Sequence, residues 1–478
     1  MAQSSTFMRF ASPNERRTIS REDLGFYNAV VIGSVYELAG DVDIYTAETF
    51  ISALKDCVLE HPSLGVVVKD KHTEKPFYEA VSSIELHQHI SIVHEEIGSE
   101  GEAKVFERVL PPILDRPFPA DIPPWRIVVL PLPSNTSTVT RCFVCFAFSH
   151  SLGDGMVGLA FHRTFLEKWR QSTSTKSESS TVTLPSRTLP EPFDTPTRLP
   201  ISWGFLLGPL LAVYLPKFLC GMLGLHATAG TINDGTWTGS PMFFNPASTS
   251  NSRVKILEIE APLVQNAIQV VRTHDAKLTA TIHQMIIRAL SKAIPNNDVT
   301  NFVAGTAVDM RGAIGKPAYT WGLFVAGHYE GHERLKDAQQ PISDELWTAA
   351  GVMTKALAGC ATRLHDQSIG LLRYVPSIRK WTLDKLGCNR DSSYEVSNLL
   401  AFDGGAEPEC RISKMVFCQP GNVTSAPMAF NILSVKGGSL MCTVSWQIGA
   451  LGVPLDEEVE FVDGICSSIQ ADFKALSV

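Results

Sequence analysis

The sequence predicts a mixed α/β protein made of two halves that each combine strands with helices. Apolar residues form short runs typical of strands, and over longer segments they recur at the spacing of a helix. A polar and then proline-rich stretch at 171–200 separates these two sets of elements, as expected of a crossover. With 478 residues, the chain can bury more than one hydrophobic core. We therefore expect an N-terminal subdomain at 1–170, a crossover linker at 171–240 and a C-terminal subdomain at 241–478.

Composition narrows the class of protein. Hydrophobic residues make up 44% of the chain and charged residues 19%, which indicates a folded globular protein rather than a disordered one. The formal net charge is -8 and no block of basic residues occurs, so nucleic acid is not an expected partner. The ten cysteines are scattered, and the first residues show no secretory pattern. We expect a cytoplasmic monomer with reduced thiols and no bound metal.

In the N-terminal half, the strongest strand signal leads directly into a candidate catalytic motif. Residues 141–148 are aromatic and apolar on both faces, as in a buried strand. The run Ser-His-Ser-Leu-Gly-Asp-Gly follows at 149–155, and it places His150 four positions before Asp154. Its two glycines allow a tight turn that can hold an imidazole in an unusual pose. An amphipathic helix is predicted next, at 156–170. A polar turn at the end of a rigid strand is a common position for catalytic residues.

The structural alternative for this motif is a histidine that only supports the core. A single histidine near a strand end is more often structural than catalytic, and the His-x-x-x-Asp spacing also arises by chance. Two other patterns are weaker still. Cys142 and Cys145 are an odd offset apart on a strand, so their side chains point to opposite faces and form no redox pair. His87 and His89 would share one face of a strand, but with no nearby cysteine or carboxylate pattern we expect an exposed strand without metal.

Taken together with other segments, the motif at His150 resembles that of acyltransferases with the chloramphenicol acetyltransferase fold. This superfamily includes plant acyl-CoA transferases, nonribosomal peptide condensation domains and fungal alcohol acetyltransferases. Five further segments resemble the last group, in order along the chain: Asn14-Glu15-Arg16-Arg17, Leu24-Gly25-Phe26-Tyr27, Val308-Asp309-Met310-Arg311-Gly312, Val396-Ser397-Asn398-Leu399, and the pair Phe430-Asn431-Ile432 and Thr443-Val444-Ser445-Trp446. One departure is Leu400, which stands where the group usually has glycine. The resemblance covers nearly the whole chain.

The resemblance implies a fold and an activity. The fold would be two chloramphenicol acetyltransferase-like subdomains, with mixed sheets flanked by helices and a channel between them. His150 would lie midway along that channel, with an acyl-CoA donor entering from one side and a small hydroxylated acceptor from the other. We therefore expect transfer of an acyl group, in the first instance acetyl, from acyl-CoA to a small alcohol or secondary metabolite. Acyl-CoA would be a co-substrate, and no permanently bound cofactor is expected.

The chemistry expected of His150 is general-base catalysis. A neutral imidazole can accept the proton of an alcohol while its oxygen attacks the thioester carbonyl, and can then protonate the departing thiolate. No covalent intermediate is required, and neither Ser149 nor Ser151 has the pattern of an activated nucleophile.

Other site residues are assigned by the resemblance. Asp154 could orient the imidazole as in a triad, but in the family the aspartate turns away and pairs with an arginine, which here is Arg311. Asp154, Gly155 and Arg311 are therefore expected to have structural roles at the site. Ser397 and Asn398 are candidates to stabilise the oxyanion, with Ser397 preferred, and ordinary strand-end polarity is the alternative for both. The residues that contact coenzyme A cannot be chosen from the sequence.

Two other functions stay open. A related enzyme could take its acyl group from a carrier-protein thioester, as condensation-type transferases do, or use an amine acceptor. A non-catalytic binding protein is a further alternative, although the intact His150, Asp154 and Gly155 argue against it.

The segment 199–225 is unusually apolar. No charged residue occurs from Leu199 to Pro216, but two prolines, Pro209 and Pro216, argue against one straight membrane-spanning helix. Three interpretations remain, namely a span, a contact with a membrane surface or lipid, and helices that pack on the protein or line a substrate entrance.

The C-terminal half has its own pattern of strands and helices. His283 lies on one of the helices and is interpreted as a structural residue, and Gly437-Gly438 predicts a tight turn between two late strands. We predict strands at 253–259, 302–309, 415–419, 429–435 and 440–448, and helices at 262–274, 278–294 and 343–363.

Overall fold

The computed structural model describes residues 6–171, 179–215, 219, 222 and 232–476, apart from 97, 135, 137, 249, 340, 341 and 408. The first half contains these elements in chain order: β1 (Thr6–Phe10), α1 (Pro13–Asp23), β2 (Val30–Ala39), α2 (Glu48–Glu60), β3 (Val66–Lys69), β4 (Phe77–Ala80), β5 (Ser83–Glu85), β6 (Ile90–Ile92), α3 (Glu102–Asp115), β7 (Trp125–Leu132), β8 (Val139–Phe148), α4 (Gly155–Gln171), β9 (Thr181–Thr183) and α5 (Trp203–Tyr214).

The second half continues the alternation of strands and helices. Its elements are β10 (Ser252–Ile259), α6 (Ala261–Thr273), α7 (Leu278–Ala293), β11 (Asn301–Asp309), β12 (Val325–Glu333), α8 (Asp344–Thr362), α9 (Ile378–Leu383), β13 (Tyr394–Phe402), β14 (Cys410–Cys418), β15 (Met428–Val435), β16 (Leu440–Gln447) and α10 (Glu458–Ala475). All eight elements predicted in this half are present, although β14 begins well before the predicted strand at 415.

The N-terminal half is built on a five-stranded mixed sheet in the order β14-β2-β8-β7-β6. β2 and β8 pair antiparallel from Val30–Phe148 to Ala39–Val139, whereas β6 is parallel to β7. Helices α2 and α4 cover one face, where the rings of Phe146 and Phe161 stack at 3.9 Å. Helix α3 covers the other face, where Phe106 stacks on Phe143 at 3.9 Å. The burial of β8 on both faces explains its continuous apolar sequence.

Strand β8 places Cys142 and Cys145 on opposite faces of the sheet. Cys142 packs into the core under α2 and α4, and Cys145 packs into the core under α3. The predicted placement on opposite faces is confirmed. Burial also raises the pKa of both thiols well above the ordinary value, as expected of inert structural cysteines.

The C-terminal half is built on a six-stranded mixed sheet in the order β10-β16-β15-β13-β11-β12. β13 is parallel to both of its neighbours, and the other pairs are antiparallel. Helices α6, α7 and α10 pack on one face and bury the second large core. His283 on α7 is buried between Tyr394 and Thr306, with one ring nitrogen 3.1 Å from each hydroxyl oxygen, as predicted for a structural histidine.

One strand crosses between the halves. β14 belongs to the second half by sequence, yet it pairs antiparallel with β2, from Cys410–Leu38 to Cys418–Val31. The expected division at residue 241 therefore does not describe the sheets, because the first sheet needs a strand from beyond residue 400. β14 therefore joins the C-terminal part of the sequence to the first sheet by backbone pairing.

The strand predicted around His87 and His89 is wrong. Residues Leu86–His89 form a 3₁₀ turn, in which the Glu85 carboxylate accepts a hydrogen bond from the His87 backbone N–H. His89 is buried, stacks on Trp125 at 3.9 Å and bonds through Nδ1 to the Trp125 carbonyl at 2.7 Å. The Glu85 cap and the stacking of His89 on Trp125 decide the local structure. Neither contact produces a periodic pattern of apolar residues in the sequence.

The apolar segment forms a short helix on the surface. In α5 the Ser202 side chain caps the N-terminus, and the Asp366 carboxylate accepts hydrogen bonds from Ser202 N (2.7 Å) and Oγ (2.9 Å). Trp203, Leu207 and Leu211 are 77%, 44% and 46% exposed. Most of the segment after residue 215 lies outside the described residues. Within the described part of the chain, no helix is long and apolar enough to cross a membrane.

Candidate active site

A cavity of about 620 Å³ lies between the two halves and is lined by both. The N-terminal half contributes side chains from α1 and from the turn that follows β8. The C-terminal half contributes β11, β12, β13, the segment around α9 and the loop that follows β14. His150, Asp154, Gly155, Arg311, Ser397 and Asn398, which are the site residues expected from the sequence, all line it.

A hydrogen bond to the backbone of the motif sets the tautomer of His150. Its Nδ1 lies 2.8 Å from the carbonyl oxygen of Gly153. Because a carbonyl only accepts, Nδ1 carries the proton and the lone pair of the neutral ring is on Nε2. No hydrogen bond to Nε2 is formed by any described residue. The imidazole is thus held by one nitrogen and presents the other, basic nitrogen to the cavity.

The surroundings keep this imidazole neutral. Burial, and after it the positive charges of Arg17 and Arg21, lower the pKa of His150 to about 4. The same arginines line the cavity. At neutral pH the ring is therefore unprotonated, as a base must be before it accepts a proton.

Glycine is required at position 153. Gly153 has a φ of +154°, and a Cβ there would lie 2.9 Å from the Gly322 carbonyl oxygen and also meet the Val157 side chain. The position of Gly155 is less strict, because the atoms nearest to a Cβ there belong to the flexible side chain of Leu399, the first at 2.8 Å. The close approach at Gly153 allows the turn to lie directly against the C-terminal half.

Asp154 turns away from the imidazole and binds Arg311. The two carboxylate oxygens accept hydrogen bonds from Arg311 Nη1 at 2.9 Å and Nη2 at 2.8 Å. They also accept from the backbone N–H groups of Phe324 at 2.8 Å and Met156 at 3.1 Å. Arg311 is only 1% exposed and also bonds Asp309 at 2.8 Å. The pair therefore joins the motif turn to the C-terminal half.

The two oxyanion candidates have different surroundings. The amide of Asn398 is engaged, because Nδ2 donates to Thr279 Oγ1 at 2.9 Å and Oδ1 accepts from Leu400 N at 2.8 Å. The second bond supports Leu400 at a φ of +64°, a conformation that favours glycine and explains why glycine is usual there. Ser397 is buried, and its hydroxyl makes no side-chain hydrogen bond within the described residues. Its hydroxyl is therefore the freer donor.

Sequence reasoning did not find a polar network beside His150. The Tyr27 ring lies 5.6 Å from the imidazole, and its hydroxyl donates to Gln419 Oε1 at 2.7 Å. Gln419 Nε2 then donates to Asn431 Oδ1 at 2.7 Å, and Asn431 Nδ2 lies 3.2 Å from Thr443 Oγ1. Tyr27, Asn431 and Thr443 fall in segments that resemble the family. That resemblance was the sequence signal that could have found them. The link between Tyr27 and Gln419 joins positions 392 residues apart, which local sequence patterns do not reveal.

The serines beside His150 are structural. Ser149 is fully buried, and its hydroxyl bonds the Glu22 carboxylate and Ser151 Oγ, the latter at 2.7 Å. Neither hydroxyl is bonded to the His150 ring in the structure. Among the described residues, no hydroxyl or thiol side chain is hydrogen-bonded to the neutral His150 ring.

Comparison with solved structures identifies the class of this fold. The trichothecene 15-O-acetyltransferase TRI3 from Fusarium sporotrichioides superposes over 98% of this chain and 95% of its own, with a TM-score of 0.63 and 12% identity. The condensation domain of the monacolin K polyketide synthase MokA superposes over 99% and 98%, with a TM-score of 0.58 and 11% identity. The protein has the two-subdomain fold of the condensation and chloramphenicol acetyltransferase-like proteins.

Sequence comparison then identifies the family. The model for the alcohol acetyltransferase family matches residues 20–461, so the chain belongs to that family. Among curated proteins, it is 22% identical to the probable alcohol acetyltransferase FCK4 of Fusarium pseudograminearum, over 89% of this chain and 86% of that protein. It is 21% identical to the probable alcohol acetyltransferase crmB of Aspergillus fumigatus, over 90% and 92%. Both the fold class and the family expected from the sequence are confirmed.

Proposed function

We propose that this protein transfers an acetyl group from acetyl-CoA to the hydroxyl group of a small alcohol or secondary metabolite, with His150 as general base. The observation that supports this most strongly is the imidazole itself. It is neutral, fixed through Nδ1 to the Gly153 carbonyl, and has its basic Nε2 free at a cavity lined by both halves. Membership of the alcohol acetyltransferase family supports the type of group transferred.

The proposed reaction needs no enzyme-bound intermediate. The acceptor hydroxyl oxygen attacks the thioester carbonyl carbon while His150 Nε2 takes its proton. The tetrahedral intermediate then collapses, the carbon–sulfur bond breaks, and the imidazolium returns the proton to the thiolate. The products are the acetyl ester and free coenzyme A. A well-placed general base contributes about 10²- to 10⁴-fold to such a rate.

The developing oxyanion needs a hydrogen-bond donor. Ser397 is the better candidate, because it lines the cavity and its hydroxyl has no hydrogen-bond partner among the residues that the structure describes, whereas the Asn398 amide is held by Thr279. Loss of a single oxyanion donor costs about 10²- to 10³-fold in turnover in other acyl-transfer enzymes. Asn398 would then act by holding the middle of β13 in shape, where the register with β15 shifts.

A second candidate function is condensation-type transfer from a carrier-protein thioester, or to an amine. The likeness to the MokA condensation domain supports this fold-level alternative. Both candidates use the same base and cavity and differ in the substrates that enter.

One assay separates the candidates. Purified protein is incubated with acetyl-CoA and a panel of alcohols, amines and thiols, and free thiol release is recorded against time. Release that depends on an alcohol, with the ester identified by mass spectrometry, would support the first proposal. Release only with amines would support the second. A lack of release with every acceptor, from both acetyl-CoA and an acetylated carrier protein, would leave a binding function.

A further inference from the structure

A pair of arginines forms one wall of the cavity beside His150. Arg17 and Arg21 are four residues apart on α1, so they lie on the same face of the helix, one turn from each other. Both line the cavity and both lower the pKa of His150. The two side chains therefore share the cavity with the imidazole.

Neither arginine is neutralised by a carboxylate within ion-pair distance in the described residues. Arg17 Nε donates to Asn14 Oδ1 at 3.2 Å, and its terminal amino groups have no described hydrogen-bond partner. Arg21 Nη2 donates to Asn422 Oδ1 at 2.7 Å, and its guanidinium lies 4.5 Å from the centre of the Tyr27 ring. Its Nε is buried and has no hydrogen-bond partner among the described residues. Both neighbours, Asn14 and Asn422, are neutral amides.

Four acidic residues line the cavity, and three of them are paired with other cations. Asp154 and Asp309 both accept hydrogen bonds from Arg311. Asp391 is paired with Lys385 at 3.3 Å, so those two charges offset each other. Glu395 accepts a hydrogen bond from Ser425 at 3.3 Å, and burial raises its pKa. Two cations thus face one carboxylate that burial makes less acidic. Charges inside proteins are normally paired, so unused guanidinium donors that line a cavity indicate an anionic ligand.

We propose that Arg17 and Arg21 bind a carboxylate of the acceptor, and that the natural acceptors are therefore hydroxy acids. This inference rests on the proposed acyl transfer at His150. The forked guanidinium matches a carboxylate in geometry as well as charge. The phosphates of coenzyme A do not fit this position, because the long pantetheine arm separates them from the thioester. A donor whose carbonyl lies at His150 therefore carries its phosphates well away from groups beside that ring.

The test compares each acid with its own neutral ester. The acceptors are mandelate, 4-hydroxybenzoate and 3-hydroxyoctanoate and their methyl esters, with acetyl-CoA as donor. We expect wild-type protein to prefer at least one acid. In Arg17→Gln and Arg21→Gln, the ratio of kcat/KM for acid over ester should fall by about 10- to 100-fold, which corresponds to the loss of a charge-assisted hydrogen bond. Arg17→Lys, which keeps the charge, should retain more of the preference.

Two controls test whether the anion bound by the arginines belongs to the acceptor or to the donor. Arg272→Gln removes an exposed arginine on α6, outside the cavity, and should leave the ratio unchanged. Acetyl-pantetheine, a donor without phosphates, is compared with acetyl-CoA. If the variants weaken use of acetyl-CoA but not of acetyl-pantetheine, the anion belongs to the donor and the proposal is overturned. It is equally overturned if acid and ester lose activity in the same proportion.

Equilibrium binding keeps this inference distinct from the proposed catalysis. Calorimetry with the His150→Ala variant measures affinity for the same acids and esters without turnover. Tighter binding of an acid than of its ester, lost on adding Arg17→Gln, supports the carboxylate site even if no acetylation occurs. If no acid on the panel binds more tightly than its ester, the proposal is wrong, whatever the thiol-release assay shows.

Discussion

The ion pair between Asp154 and Arg311 provides a test of why the aspartate is present in the motif. Replacing Asp154 by Asn keeps the shape of the side chain but removes the charge that holds the Arg311 guanidinium. Arg311 is 1% exposed, and its remaining acidic partner is Asp309, whose side chain is 42% exposed. Breaking a buried pair costs about 3–5 kcal/mol. Because Asp309 stays bonded to Arg311, we expect a loss near the lower end, about 3 kcal/mol.

The assay is a double-mutant cycle. Urea unfolding of wild type, Asp154→Asn, Arg311→Ala and the double variant is followed by tryptophan fluorescence. We expect each single variant to be destabilised and the double variant to be less destabilised than the sum, with a coupling of about 0.5–3 kcal/mol. Asp384→Asn breaks the exposed pair Lys380–Asp384 with the same chemical change, and should cost less than about 1 kcal/mol.

Two results would refute this reasoning. Additive losses within error would show that the two residues are not coupled in solution. A loss of turnover by several orders of magnitude in Asp154→Asn, at unchanged stability, would show that the aspartate orients the imidazole. In the structure its carboxylate is instead occupied by Arg311 and two backbone N–H groups.

Three further predictions concern other parts of the structure. Burial lowers the pKa of His162 from 6.5 to about 4, so between these pH values the unfolded chain binds more protons than the folded protein. The free energy of unfolding, measured with urea, should therefore fall from pH 6.5 towards pH 4, by about 1.4 kcal/mol per pH unit for such a histidine. A flat profile would contradict this. Gly153→Ala should lower the free energy of unfolding by at least about 1–3 kcal/mol and reduce turnover. The control Gly464→Ala, at a position where a Cβ meets nothing within 4 Å, should be neutral or stabilising. Equal melting temperatures of the two variants would contradict the close approach at Gly153. The double variant Leu207→Glu with Leu211→Glu should leave the fold intact, because both side chains are exposed. It should weaken the use of long-chain alcohols, or binding to vesicles, more than it raises the KM for acetyl-CoA. An equal effect on both substrates would oppose a lipophilic role for this surface.

Local pattern predicted much of the fold. The strand before His150, the helix after it and the helices and strands of the second half follow from apolar periodicity alone. The tight turn at Gly437, with a φ of +77°, follows from its sequence too. The 3₁₀ turn at His87 could not be predicted this way, because the stacking of His89 on Trp125 is a tertiary contact. β14 was recognised only in its second part for a similar reason, since its pairing with β2 joins distant parts of the chain.

The candidate site was predictable where residues lie close in sequence or in segments that resemble the family. His150, its turn and the partner Arg311 are of this kind. The tautomer of His150 depends on where the Gly153 carbonyl points, which only the backbone geometry gives. The pairing of Arg17 with Arg21 at the cavity was not predicted, because the family-like segment that contains Arg17 ends before Arg21 and does not show which side chains face the site. Only the fold places them opposite a partly buried carboxylate and beside the imidazole.

The central claim, that His150 is the base for acyl transfer, is tested most directly by His150→Ala. Its turnover is measured with acetyl-CoA and an alcohol that the wild-type protein acetylates, and its melting temperature and circular dichroism are recorded in parallel. We predict a folded protein whose rate is lower by about 10²- to 10⁴-fold. A folded His150→Ala variant with near-normal turnover would contradict the account.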